Sequence, residues 1–126
     1  MLSVVEVARA GQVDSEQRAR DRYAGMSERM RKRCGRLEIL YDPLEFYVDG
    51  ERIYLTPLEG AILELLVRRG RASSQVLIEL FEREGGSIAA LNVHLHRLRR
   101  KALDAGLVNP IETVRGWGLK LRIEKI

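Results

Sequence analysis

The sequence predicts an α+β domain in which an antiparallel meander, three helices and a terminal hairpin follow one another, with a further helix ahead of them. Three observations carry this expectation. Residues 36–55 alternate apolar and polar positions and break at turn pairs. Residues 56–103 hold stretches with helical apolar spacing, each behind a Thr or Ser suited to capping. Residues 111–123 return to strand patterning around Gly116-Trp117-Gly118. The chain of 126 residues suits one domain with an appendage, and it divides into a basic extension, 1–35, and a folded domain, 36–126.

Residues 1–13 are weakly apolar, with Gly11 as a breaker. Residues 14–33 read as a helix: Asp14 or Ser15 caps it, Glu16 stands in its first turn, and Arg31, Lys32 and Arg33 end it, as the helix dipole favours. Its apolar stripe, Ala19, Tyr23, Met26 and Met30, is narrow, and Gly25 weakens the helix by about 1 kcal/mol. A stripe this thin packs on a neighbouring domain or a second copy, or else the segment is a frayed basic tail. In the meander, Leu37, Ile39 and Tyr41 alternate with polar neighbours, Asp42-Pro43 marks a turn, and Asp49-Gly50 is a strong two-residue hairpin signal.

The first core helix is expected over 57–69. Thr56 caps it, Pro57 takes the first position, Glu59 the third, and Gly70 ends it. Leu58, Ile62, Leu65 and Leu66 form its buried stripe. The second spans 74–83 behind Ser73, with Leu77, Ile78 and Phe81 inward. The third spans 88–103 behind Ser87, with Ile88, Leu91, Leu95, Leu98 and Ala102 on one face. Its opposite face carries Ala89, Ala90, Val93, Arg97 and Arg100. His96 and Arg99 flank the core stripe on one side, His94 and Lys101 on the other.

Composition narrows the function classes. The formal net charge is +4 and the pI about 9.6. Residues 37–84 carry five basic and ten acidic side chains, whereas residues 94–122 carry seven basic and two acidic ones. Such a domain presents a basic face to a polyanion. A single cysteine, Cys34, excludes a disulfide framework and a cysteine zinc site. No apolar run nears the ~18 residues of a membrane span, and the N-terminus is a poor signal peptide, so no membrane association is expected. There is no Gly-rich phosphate loop, HExxH or GxSxG. His94 and His96 stand about 200° apart on a helix, unsuitable for one metal ion. Neither enzymatic activity, nor a cofactor, nor a metal is expected.

Two short helices, a longer basic third helix and a closing hairpin are the parts of a winged helix-turn-helix. Three stretches make the resemblance specific: LTPLEGAILELL (55–66), LNVHLHRLRRK (91–101) and TVRGWGLKL (113–121). In this order and spacing they resemble the DNA-binding effector domain of OmpR/PhoB-type response regulators. The resemblance implies that the third helix enters the major groove of duplex DNA and that the hairpin, or wing, lies over the minor groove. Val93 stands at the family's outward valine, suited to thymine methyls, and Arg97 at the arginine that reaches base edges. His94, His96, Arg99 and Arg100 stand where phosphate or flanking contacts are made. Arg115 matches the wing arginine, Thr113 a wing residue near the backbone, and Trp117 sits at the wing tip. Arg31, Lys32 and Arg33 add candidate contacts from the N-terminal extension.

The sequence departs from the family pattern as well. Ala89-Ala90 replace the usual Arg-Thr, which removes one cation and one hydroxyl from the expected contact surface. Asn92 replaces Asp, Leu119 replaces Tyr, and Glu82 stands near a missing aromatic. Only 35 residues precede the domain, without a βαβ pattern or acidic pocket, so phosphorylation in cis is not expected to control it. The expectation is a bacterial or phage-borne, cytoplasmic, nucleoid-associated regulator that acts as a homodimer or tandem pair. The alternative is a module that kept the fold and docks on RNA polymerase or another regulator, with DNA contact secondary.

Overall fold

The computed structural model describes residues 29–123. The helix expected from residue 14 lies outside them as far as residue 28. Its expected last turn is not helical, because Arg31–Cys34 form strand β1. Tertiary pairing overrides the local preference here. Gly35, at φ 59°, and Arg36 turn the chain so that β1 pairs with β2 (Leu37–Leu40), Cys34 opposite Leu37, and Cys34 is buried.

Strands β3 (Glu45–Val48) and β4 (Glu51–Ile53) complete a four-stranded antiparallel sheet in chain order. Leu37 pairs with Val48 and Ile39 with Phe46, so four buried side chains share one face. Asp49 and Gly50 both take positive φ, 52° and 85°, as the expected two-residue turn requires.

Helix α1 (Pro57–Arg69) begins with the expected capping box: the Glu59 amide donates to Thr56 Oγ1 at 3.2 Å, and the Thr56 amide donates to Glu59 Oε1 at 2.9 Å. Gly70 ends it in the left-handed conformation. Leu63 joins Ile62, Leu65 and Leu66 in the core, while Leu58 is only partly buried. Strand β5 (Arg71–Ser73) then leads into α2 (Ser74–Glu84), where Leu80 and not Ile78 is buried beside Leu77 and Phe81.

The third helix also starts later than expected. Ile88–Ala90 form a 3-10 turn capped by Ser87, and α3 proper runs Leu91–Asp104. Ile88 remains 38% exposed, at the rim of the core and not inside it. Strands β6 (Ile111–Val114) and β7 (Gly118–Leu121) form the hairpin, and β7 also pairs with β5, in the order β5-β7-β6. Ala72 and Leu119, opposite each other, are both buried. The helices and side chains from both sheets share one apolar cluster. This is the α+β winged-helix architecture. Among the described residues, no helix is long and apolar enough to cross a membrane.

Candidate nucleic-acid interface

Helix α3 buries Leu95, Leu98 and Ala102, spaced i, i+3 and i+7. Helical geometry then sends Val93, His96, Arg97 and Arg100 outward as one stripe, and all four are exposed. Val93 is 49% exposed, an apolar tip set among cations. Arg115 is exposed at the turn between β6 and β7. That turn is closed by the Trp117 amide donating to the Val114 carbonyl at 2.9 Å, with Gly116 at φ 74°.

Ion pairing separates two kinds of cation. Arg68 pairs with Glu64 at 3.0 Å, Lys101 with Glu59 at 2.6 Å, and Arg36 grips Asp49 while donating to the Gly106 carbonyl at 2.7 Å. Among the described residues, Arg97, Arg100 and Arg115 form no ion pair. Their charge is unneutralised and faces solvent.

Four expected contacts are engaged inside the fold. The Arg99 guanidinium donates from Nε and Nη2 to the Ile111 carbonyl, at 3.2 and 3.0 Å, and from Nη2 to Thr113 Oγ1 at 2.9 Å. Both Arg99 and Thr113 are thus committed to joining α3 to β6. His94 is half-buried with its ring edge-on to Phe81, centroids 5.9 Å apart, and its Nδ1 is buried without a hydrogen-bond partner. Trp117 is 40% exposed under the Arg71 guanidinium, 5.6 Å from the ring centroid, and its carbonyl accepts from the Ser74 amide and Oγ. Arg31, Lys32 and Arg33 lie on β1, in the other sheet, where Arg31 pairs with Glu38 at 3.1 Å.

Sequence reading missed Arg71, which stands cross-strand from Lys120 and reaches over the ring of Trp117 at the wing. A three-residue strand has no periodicity to reveal it. It also missed the Glu59–Lys101 pair, although Glu59 was identified as a capping residue. Glu59 is fully buried. Burial pushes its carboxyl up, but hydrogen bonds from Lys101 and Thr56 outweigh that and hold it below the usual glutamate range. The pair fastens α3 to the first turn of α1.

Between α2, the start of α3 and the wing lies an open cavity of about 210 Å³. Ile78, Ile88, Leu91, Val114 and Trp117 are among the side chains that line it, and none of the lining residues is charged. Among the described residues, no group of three His, Cys, Asp or Glu is placed to hold a metal ion.

Comparison with known proteins agrees with this geometry. The DNA-binding domain of the response regulator AdeR, solved in complex with an intercistronic region, superposes with a TM-score of 0.63 at 21% identity, over 75% of this chain and all of that one. The response regulator DrrB of Thermotoga maritima, an OmpR/PhoB homolog, matches with a TM-score of 0.63 at 20% identity, over 91% of this chain and 54% of its own length. These two show the fold. The C-terminal domain of the nisin resistance regulator NsrR, a lantibiotic response regulator, is 30% identical over 61% of this chain and 82% of that domain, with a TM-score of 0.52. No curated protein sequence matches. Residues 50–121 match the family model described as transcriptional regulatory protein, C terminal, and with more than half its length inside that match the chain belongs to this family.

Proposed function

We propose that the chain is a sequence-specific, duplex-DNA-binding transcription regulator that sets α3 in the major groove and the wing, 111–123, at the minor groove. One observation carries this reading: Val93, His96, Arg97 and Arg100 form a single exposed stripe whose arginines have no carboxylate partner. An unpaired Arg offers a planar fork to guanine, and an exposed valine tip suits a thymine methyl. Arg115 at the wing tip, and Arg71 over the ring of Trp117 beside it, supply charge for the adjacent backbone. Membership of a transcriptional regulatory family and similarity to a domain solved with DNA support the same reading. Arg31, Lys32 and Arg33 add a non-specific electrostatic contribution, and binding as a homodimer would read paired half-sites.

A second reading has its own observation. The cavity beside the start of α3 is uncharged, and the exposed Ala89 and half-buried Ala90 put no cation there. This surface suits an apolar segment of RNA polymerase or of another regulator.

The test is selection of bound fragments from a random duplex pool at about 150 mM salt, where purely electrostatic binding is already weakened, with Arg97→Ala in parallel. The proposal expects an enriched motif, with repeated half-sites, that the variant loses. Equal retention by both proteins, or no enrichment, sinks it in favour of the docking module.

A further inference from the structure

We infer that Arg99 is a positioning residue, a strut that sets the angle between the recognition helix and the wing and holds no phosphate itself. The inference rests on the reading of α3 and wing as one DNA surface, and deepens it.

The wing is fastened unequally. Strand β7 is central in its sheet and is tied to the helical core, since the Leu121 amide donates to the Gly70 carbonyl at 2.9 Å and the Trp117 carbonyl accepts from Ser74. Strand β6 is the edge, with β7 as its one ladder neighbour. Among the described residues, Arg99 supplies the side-chain hydrogen bonds that join α3 to the hairpin, and all of them reach β6. Two guanidinium nitrogens grip the Ile111 carbonyl while one of them also grips Thr113 Oγ1. A forked donor on acceptors two residues apart fixes both the position and the tilt of a strand, which a single bond cannot do.

The clamp is close to both reading heads. Arg99 lies between Arg97 and Arg100 on α3, and Thr113 lies two residues, about 7 Å of strand, before Arg115. Major- and minor-groove contacts therefore share one rigid frame. Two contacts on a rigid frame bind as one bivalent unit, and the gain shrinks once their separation is free to vary.

Three variants, Arg99→Ala, Arg99→Lys and Thr113→Val, test the strut. Affinity for the selected motif should fall about tenfold in Arg99→Ala and nearly as far in Arg99→Lys, because an ammonium restores charge without the fork. Affinity for random duplex should stay within about twofold and the salt slope should not change, since no phosphate contact is lost. Thr113→Val should lose part of the effect and add little to Arg99→Ala in a double-mutant cycle. Thermal unfolding checks that each variant is folded. Residual dipolar couplings on the free protein give a readout without DNA: the β6–β7 hairpin should reorient relative to α3 in Arg99→Ala. Rescue by Arg99→Lys, a salt slope lower by about one, or an unmoved wing would overturn the strut. A reoriented wing in a protein that selects no motif would uphold the strut and sink the DNA reading.

Discussion

Glu59 is where a single residue governs stability. Its carboxylate is fully buried and depends on Lys101 Nζ at 2.6 Å and on the Thr56 amide. Lys101→Met leaves a buried charge without its counter-ion, and denaturant unfolding should show a loss of about 1–3 kcal/mol. The same pair sets an acid limit. A folded-state pKa below the unfolded value means the contribution is complete above the ordinary glutamate value of about 4.3 and is lost as pH falls through the lower folded one. Asp49, held down chiefly by its hydrogen bond from Arg36, titrates in the same direction, so Glu59→Gln is the control: stability measured from pH 5 down to 3 should fall less steeply in that variant. Gly118 is constrained by space instead, because a Cβ there would lie 2.1 Å from the Ala72 carbonyl oxygen. Gly118→Ala should cost about 3 kcal/mol or more and detach β5 from the wing, visible as loss of amide protection at Leu119. None of this was legible in the residues alone, since Glu59 reads as a cap and Gly118 as a turn glycine until their neighbours are known.

At the scale of elements, local chemistry was the reliable guide wherever an element is specified by its own ends. Thr56, Pro57, Glu59 and Gly70 delimit α1 as expected, and Thr56→Ala should lower stability by about 1 kcal/mol in thermal unfolding. Asp49-Gly50 and Ser73 acted as expected for the same reason. The misread elements depend on a strand partner outside their own residues, near in sequence for β1 and far for β5. Arg31–Cys34 looks like a basic helix end but pairs with β2, and Arg71–Ser73 becomes a strand only because β7 lies beside it. The outward stripe of α3 was legible from period 3.6 alone. The inward turn of His94 and Arg99 was not, because both sit on the flanks of the stripe, where a neighbouring element decides.

For the whole molecule, one apolar cluster joins the meander, the helices and the wing sheet. Trp117 fluorescence at the wing and methyl signals of Ile39 and Leu66 in the core should therefore report one unfolding midpoint in urea. Separate midpoints would mean that the wing sheet melts on its own. The charge asymmetry also acts at this scale. Acidic side chains gather in residues 37–84, where several are neutralised by Arg36, Arg52, Arg68 and Lys101, and this leaves Arg97, Arg100 and Arg115 as a field of one sign. The fold class, the order of helices and wing, and the residues of the exposed arginine stripe follow from the residues alone, because periodicity, caps and turn pairs are local physics. Folding alone settles that β5 exists, that Lys101 neutralises a buried carboxylate, and that Arg99 braces the wing, because each depends on a partner between 12 and 49 residues away that only the packed chain brings within hydrogen-bond reach.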